Sequence, residues 1–177
     1  RNAATHFEET GDVDREDLTS QFIFTIDPPD ARDFDDAINI TYDQDKKEWE
    51  LGVHIADVAS FVSVGSALDK GAIERGNSVY LPRKVIPMLP EVLSNGVCSL
   101  QEGVRRWAKS VFIRFDDKGR VLGHRLQNTV ICSAKRLTYL EAQALIDGNE
   151  KEARKNTVAG GTYSEELIAT LKRADSL

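Results

Sequence analysis

Between residues 27 and 36 the chain packs five aspartates and one arginine, in the run Thr25-Ile26-Asp27-Pro28-Pro29-Asp30-Ala31-Arg32-Asp33-Phe34-Asp35-Asp36-Ala37. Carboxylates this close raise one another's pKa and oppose folding unless a counter-charge neutralises them. A β-prone stretch stands on each side, Phe22-Ile23-Phe24-Thr25-Ile26 before and Ala37-Ile38-Asn39-Ile40-Thr41-Tyr42 after. The fold must therefore place the end of one strand, the start of the next and all that charge close together. Pro28-Pro29-Asp30 breaks the first strand, and a turn there can bring Asp27 toward Asp35 and Asp36. Asp33 and Asp35, at i and i+2, face one side if that stretch is extended.

Trp49 to Ile55 alternates as a strand and, across the polar turn Asp43 to Lys47, forms a hairpin with residues 37–42. Ser66 is placed to cap a short helix that has Asp69 in its first turn and ends near Gly76-Asn77. Ser78-Val79-Tyr80-Leu81 is extended and stops at Pro82, while Pro87 and Pro90 keep the next stretch irregular. Residues 107–115 read as a strand with apolar positions at 107, 111, 113 and 115, turned by Asp116-Asp117-Lys118-Gly119 into a long strand from Val121 to Ile131. Thr138 and Glu141 have capping-box spacing. A last helix begins at Ser164, with Leu167, Ile168 and Leu171 on one face. Strands fill the first three quarters and helices the end. This predicts an α+β fold: a mixed, largely antiparallel twisted sheet flanked by helices.

The 177 residues suit one domain or a piece of a larger one. No run approaches the roughly 20 apolar residues of a membrane span. The beginning, Arg1-Asn2-Ala3-Ala4-Thr5-His6, has neither an initiator Met nor an apolar block, so we expect no signal peptide and a start inside a longer protein. Cys98 and Cys132 lack CxxC spacing and are read as buried thiols, which fits a reducing, cytoplasmic setting.

The formal charge of −6 is unevenly spread: residues 1–36 carry −8 and residues 83–136 carry +7. A low overall pI ordinarily disfavours nucleic-acid binding, but here it averages an acidic beginning with a basic middle. That middle admits two readings, a solvated set of strands or a wall that follows nucleic-acid phosphates.

From composition alone three readings of the aspartate cluster stay open: a solvated Asp-rich loop, a structural Ca²⁺ loop, and a metal-dependent site for phosphate chemistry. The EF-hand pattern fails, since its invariant Gly and distal Glu are missing at the required positions. Hard ions such as Mg²⁺ prefer oxygen ligands and often bind through a few carboxylates plus substrate phosphate.

Asp27 followed by Asp33, Asp35 and Asp36 is a D-x5-D-x-D-D pattern. Set in TIDPPDARDFDDA, it closely resembles the signature of the RNase II / RNase R family, whose catalytic domain is called RNB. The likeness continues in Gly52-Val53-His54-Ile55-Ala56-Asp57-Val58, Ser78 to Pro82, Val85 to Pro90, Leu93 to Leu100 and Ala134 to Tyr139, covering about residues 22–140. The HIADV and SVYLP wording is nearer RNase R.

The resemblance implies a processive, hydrolytic, Mg²⁺-dependent 3′→5′ exoribonuclease, with Mn²⁺ as a substitute ion. Its substrate would be single-stranded RNA and its products nucleoside 5′-monophosphates. The family's four essential aspartates fall on Asp27, Asp33, Asp35 and Asp36, as catalytic residues and as metal ligands. We expect Asp27 and Asp36 to ligate directly and Asp33 and Asp35 to share ligation and water positioning. Tyr80 matches a family tyrosine that stacks near the terminal nucleotides. His54 is read as structural, Asp57 as a cap or turn residue, and Trp49 and Trp107 as core. Residues 1–20 are expected to be a linker or lead-in segment, and 21–177 the N-terminal part of an RNB domain, about its first half. The Arg-rich segment and the second aromatic clamp of the family have no match after residue 140. The isolated segment is therefore expected to be inactive or very weak.

Overall fold

The structure, a computed structural model, describes residues 14–177 apart from 83 and 161. The chain runs through β1 (Glu16–Asp17), β2 (Ile23–Asp27), β3 (Asp36–Asp43), β4 (Glu48–Ala56), α1 (Ala67–Arg75), β5 (Val79–Leu81) and β6 (Lys84–Ile86). It continues with β7 (Arg105–Asp116), β8 (Val121–Thr138), α2 (Tyr139–Ile146), α3 (Glu150–Asn156) and α4 (Glu165–Ser176).

The main sheet has the order β1-β8-β2-β3-β4-β7, and β7 also pairs with β8. The hydrogen bonds thus form a closed circuit, β2–β3–β4–β7–β8, which leaves those strands few open edges. Neighbours are antiparallel except where β1 and β2 lie parallel to β8. Strand β8 serves three partners, β1, β2 and β7. Its first part pairs with β7, and residues 133–138 pair with β2. The expected α+β sheet with flanking helices is the observed architecture.

Two apolar clusters hold the layers together. One gathers Ile23, Phe34, Ala37, Leu100, Phe112 and Ile131; the other packs Phe24 and Leu137 against Leu145 of α2 and Leu167 and Leu171 of α4. Each such large side chain contributes about 1.5–3 kcal/mol relative to exposure. Helix ends follow local chemistry. The Ser66 hydroxyl accepts from Asp69 N, Gly76 closes α1 at a φ of 75°, and Thr138 and Glu141 complete a reciprocal capping box. Both cysteines are free thiols, Cys98 buried and Cys132 half-buried.

Three features differ from the sequence reading. On β7 the buried positions are Ala108, Ser110 and Phe112, not the apolar 111, 113 and 115, which lie half-buried on the opposite face. The reason is that Phe112 belongs to the first cluster, while the 111–115 face meets only partners such as Leu126, itself 70% exposed. Strand β6 and helix α3 have no strong periodic signal; α3 buries only Ala153. Finally, of the acidic lead-in, residues 1–13 lie outside the described residues, but Leu18 is in the core and Glu16–Asp17 pair with β8.

The acidic and basic segments meet. Glu16 pairs with Arg125, Asp17 with Arg105, Glu48 with Arg114, and Asp116 with Arg120. Four arginines of the middle thus have carboxylate partners, two of them in the acidic lead-in, in pairs worth little individually, about 0–1 kcal/mol each.

Candidate active site

Asp27 is the last residue of β2, and Asp36 the first of β3. In the loop between them Phe34 is 7% exposed and sits in the first cluster. That anchors the alternation: Asp33 and Asp35 flank Phe34 and line a cavity of about 850 Å³ together with Asp27 and Asp36. The loop's second half is held from outside. Ser99 Oγ accepts from Phe34 N and donates to Arg32 O, both at 3.1 Å, while Leu100 N donates to Phe34 O and Ala56 N to Asp35 O.

The cavity is unfavourable for bare charge. Burial pushes the Asp27 carboxyl upward, and Asp36 and Asp33 add repulsion; the nearby Thr25 hydroxyl and Arg136 oppose the shift. Asp35 is likewise raised by desolvation, then by Asp33 and Asp36. Asp27 Oδ2 is buried without a hydrogen-bond partner, and the Thr25 hydroxyl does not reach bonding geometry. Hard oxygen donors, an orphaned buried carboxylate oxygen and mutual repulsion together fit a divalent cation in chemistry. Among the described residues, however, no three His, Cys, Asp or Glu side chains already converge as a metal cage. The aspartates line the wall of the cavity without meeting at one point.

Tyr80, on β5, stands in the same cavity. Its ring is 68% exposed and its hydroxyl donates to Asp33 Oδ2 at 3.4 Å. Asp33 raises the phenol's pKa, so it stays a neutral donor at pH 7. Among the described residues the cations bordering the cavity are Arg32 and Lys84. Arg105, Arg114, Arg120 and Arg125 pair with carboxylates away from this cavity.

His54 is fully buried and away from the aspartates. Its ring nitrogens lie 2.7 Å from Ser110 Oγ and 3.0 Å from Asn39 Oδ1, and burial pushes it down to about 4. A Cβ on Gly52 would run into Asn39 Oδ1, so glycine is required beside this network. Asp57 stands at the N-cap position of a 3-10 turn over Val58–Ser60 but caps nothing with its side chain. Instead it forms a buried ion pair with Arg15 at 2.6 Å and accepts from Ser60. Burial raises its pKa, but these bonds and the neighbouring cations outweigh burial and hold it below the ordinary range. Trp107 stacks on Phe61 at 5.4 Å and Trp49 packs on Tyr42 at 4.5 Å, both half-buried.

Sequence reasoning missed Ser99 and Arg136 as supports of the aspartate loop. The signal existed, since both lie in blocks that carry the family resemblance, but their contacts span 65 and over 100 positions.

The site is thus a carboxylate-lined cavity at the junction of two strands, faced by an exposed tyrosine, with donors of the type that hard cations take. The sequence pattern of the RNB domain matches residues 15–177, and the chain belongs to that family. Ribonuclease R of Chlamydia trachomatis is 45% identical over 144 residues, which is 81% of this chain and 21% of that protein. The chain thus spans about a fifth of the length of that curated relative. Among solved structures, Mycoplasma genitalium RNase R in complex with ribose-methylated single-stranded RNA superposes with a TM-score of 0.78 at 35% identity, over 90% of this chain and 23% of that one. Yeast Ssd1, described as a pseudonuclease, shares the fold with a TM-score of 0.68 at 21% identity, over 92% of this chain and 18% of its own.

Proposed function

We propose that this chain carries the aspartate site of a hydrolytic 3′→5′ exoribonuclease that works on single-stranded RNA in the cytoplasm. The observation that carries this reading is the gathering of Asp27, Asp33, Asp35, Asp36 and Tyr80 around one cavity. Family membership and the relatives named above support it. In the reaction a water oxygen joins the terminal phosphorus, the bond from phosphorus to the 3′ oxygen breaks, and that oxygen takes up a proton. A nucleoside 5′-monophosphate leaves.

The four aspartates are the proposed holders of divalent Mg²⁺, or Mn²⁺ in its place. Such ions, when bound, supply Lewis-acid activation of water and charge neutralisation at the leaving oxygen. The protein's own part is to hold negative oxygens where phosphate charge must be offset. Tyr80 offers an exposed ring on which a terminal base stacks without regard to sequence, worth about 1–3 kcal/mol per base. The catalytic unit then takes in β1 and Leu18, so it begins by residue 15, ahead of the start expected at residue 21.

The test is Asp35→Asn in the full-length protein, with 5′-labelled single-stranded RNA and Mg²⁺. We expect shortening of the labelled RNA from its 3′ end to fall about a thousandfold, while RNA affinity stays within a few fold. Cleavage at the wild-type rate in this variant would overturn the assignment. The unclosed carboxylates favour one rival reading, a module that binds RNA without cutting it; wild-type protein that binds but never shortens the RNA would establish that instead.

A further inference from the structure

We infer that Arg136 is a positioning residue for the aspartate site, shaping the turn between Asp27 and the other three aspartates from the neighbouring strand. The inference rests on the metal-dependent reading above. The loop's second half is fastened by Ser99, Leu100 and Ala56, as described. Its first half, residues 28–31, has two prolines and so lacks two backbone donors. Its one internal backbone bond runs from Ala31 N to Pro28 O at 3.1 Å.

Arg136 fills that gap. It lies on β8 in register with Thr25, two positions from the pairing of Thr138 with Asp27. From there its Nη2 donates to Pro29 O at 3.1 Å and Ala31 O at 3.2 Å, and reaches Pro28 O at 3.5 Å. The guanidinium lies over the Phe34 ring, 4.6 Å from its centroid. Among the described residues no other side chain donates to the carbonyls of 28–31. One planar cation therefore grips both the turn and the aromatic anchor between Asp33 and Asp35. A lysine at this position keeps the charge but lacks the planar group that both lies over Phe34 and holds Nη2 at the loop carbonyls.

Charge and geometry are separable by measurement. Mn²⁺ binding to the full chain, followed by electron paramagnetic resonance, is compared for wild type, Arg136→Ala and Arg136→Lys, with folding checked by circular dichroism. Positioning predicts weaker binding in both variants, about tenfold in each, and in the full-length protein a fall in kcat with KM for RNA nearly unchanged. A merely electrostatic role predicts tighter Mn²⁺ binding in Arg136→Ala and no change in Arg136→Lys, and either result overturns the inference. A rise in KM with kcat intact makes Arg136 an RNA contact and also overturns it. If Arg136→Ala does not fold, the charge-preserving Arg136→Lys decides alone. Wild-type chain that binds no Mn²⁺ refutes the metal reading itself; equal binding by wild type and variants refutes only the role of Arg136.

Discussion

The His54 cluster and the Asp27 cluster are both built from polar groups buried on the same sheet, yet they are opposites. Around His54 the bonds close on one another: Ser110 and Asn39 meet the two ring nitrogens, Thr129 meets Ser110 at 2.6 Å, and Gln21 receives the Asn39 amide at 2.6 Å. Around Asp27 a carboxylate oxygen is orphaned and like charges face one cavity. Satisfied burial is how a sheet tolerates polar residues. Unsatisfied burial of charge costs stability and marks the place where the molecule is built for something other than itself.

That contrast can be broken from the histidine side first. His54→Ala leaves a cavity and strands the partners on either side. We expect a loss of about 4 kcal/mol, read from urea unfolding. A loss below 1 kcal/mol would dissolve the distinction between the two clusters.

Acid sharpens the same point. His54 has an ordinary pKa of 6.5 and a folded one of about 4. The unfolded chain therefore binds more protons between those values. This contribution is complete above pH 6.5 and is lost as pH falls toward 4, for a total of about 3 kcal/mol. Subtracting the pH–stability curve of His54→Gln from that of the wild type should isolate the loss; parallel curves would rule it out.

The smallest effect has the opposite sign. Asp27→Asn removes a buried charge that burial and the neighbouring carboxylates disfavour more than Arg136 offsets in metal-free protein, so stability measured with a chelator present should rise by about 1 kcal/mol. A drop in melting temperature would mean that Asp27 is a structural group after all.

What the sequence made legible was local. The hairpin of β3 and β4, the caps at Ser66 and Thr138 and the turn at 116–119 each depend on residues a few positions apart, where backbone chemistry speaks directly. The clustering of the aspartates also followed from two strands and a proline-bearing loop. The inward face of β7 did not, because Val111, Ile113 and Phe115 are more apolar than Ala108 and Ser110, and only tertiary packing puts the latter inside. The burial of Arg15 with Asp57, across 42 positions, and the grip of Arg136 on its loop were equally invisible to periodicity. Nor does pattern reveal that Glu16 and Asp17 of the acidic lead-in pair with Arg125 and Arg105 of the basic middle; that follows from the pairing of β1 with β8.

The parallel pairing of β2 with the far end of β8 has a consequence in time. Asp27 must wait for Thr138 to be made before its strand has that neighbour. At a synthesis rate of about 5–20 residues per second, the interval is roughly 5–20 seconds. For that period the nascent chain carries its aspartates but not the frame that arranges them, so the site comes into being late, when most of this segment has already left the ribosome.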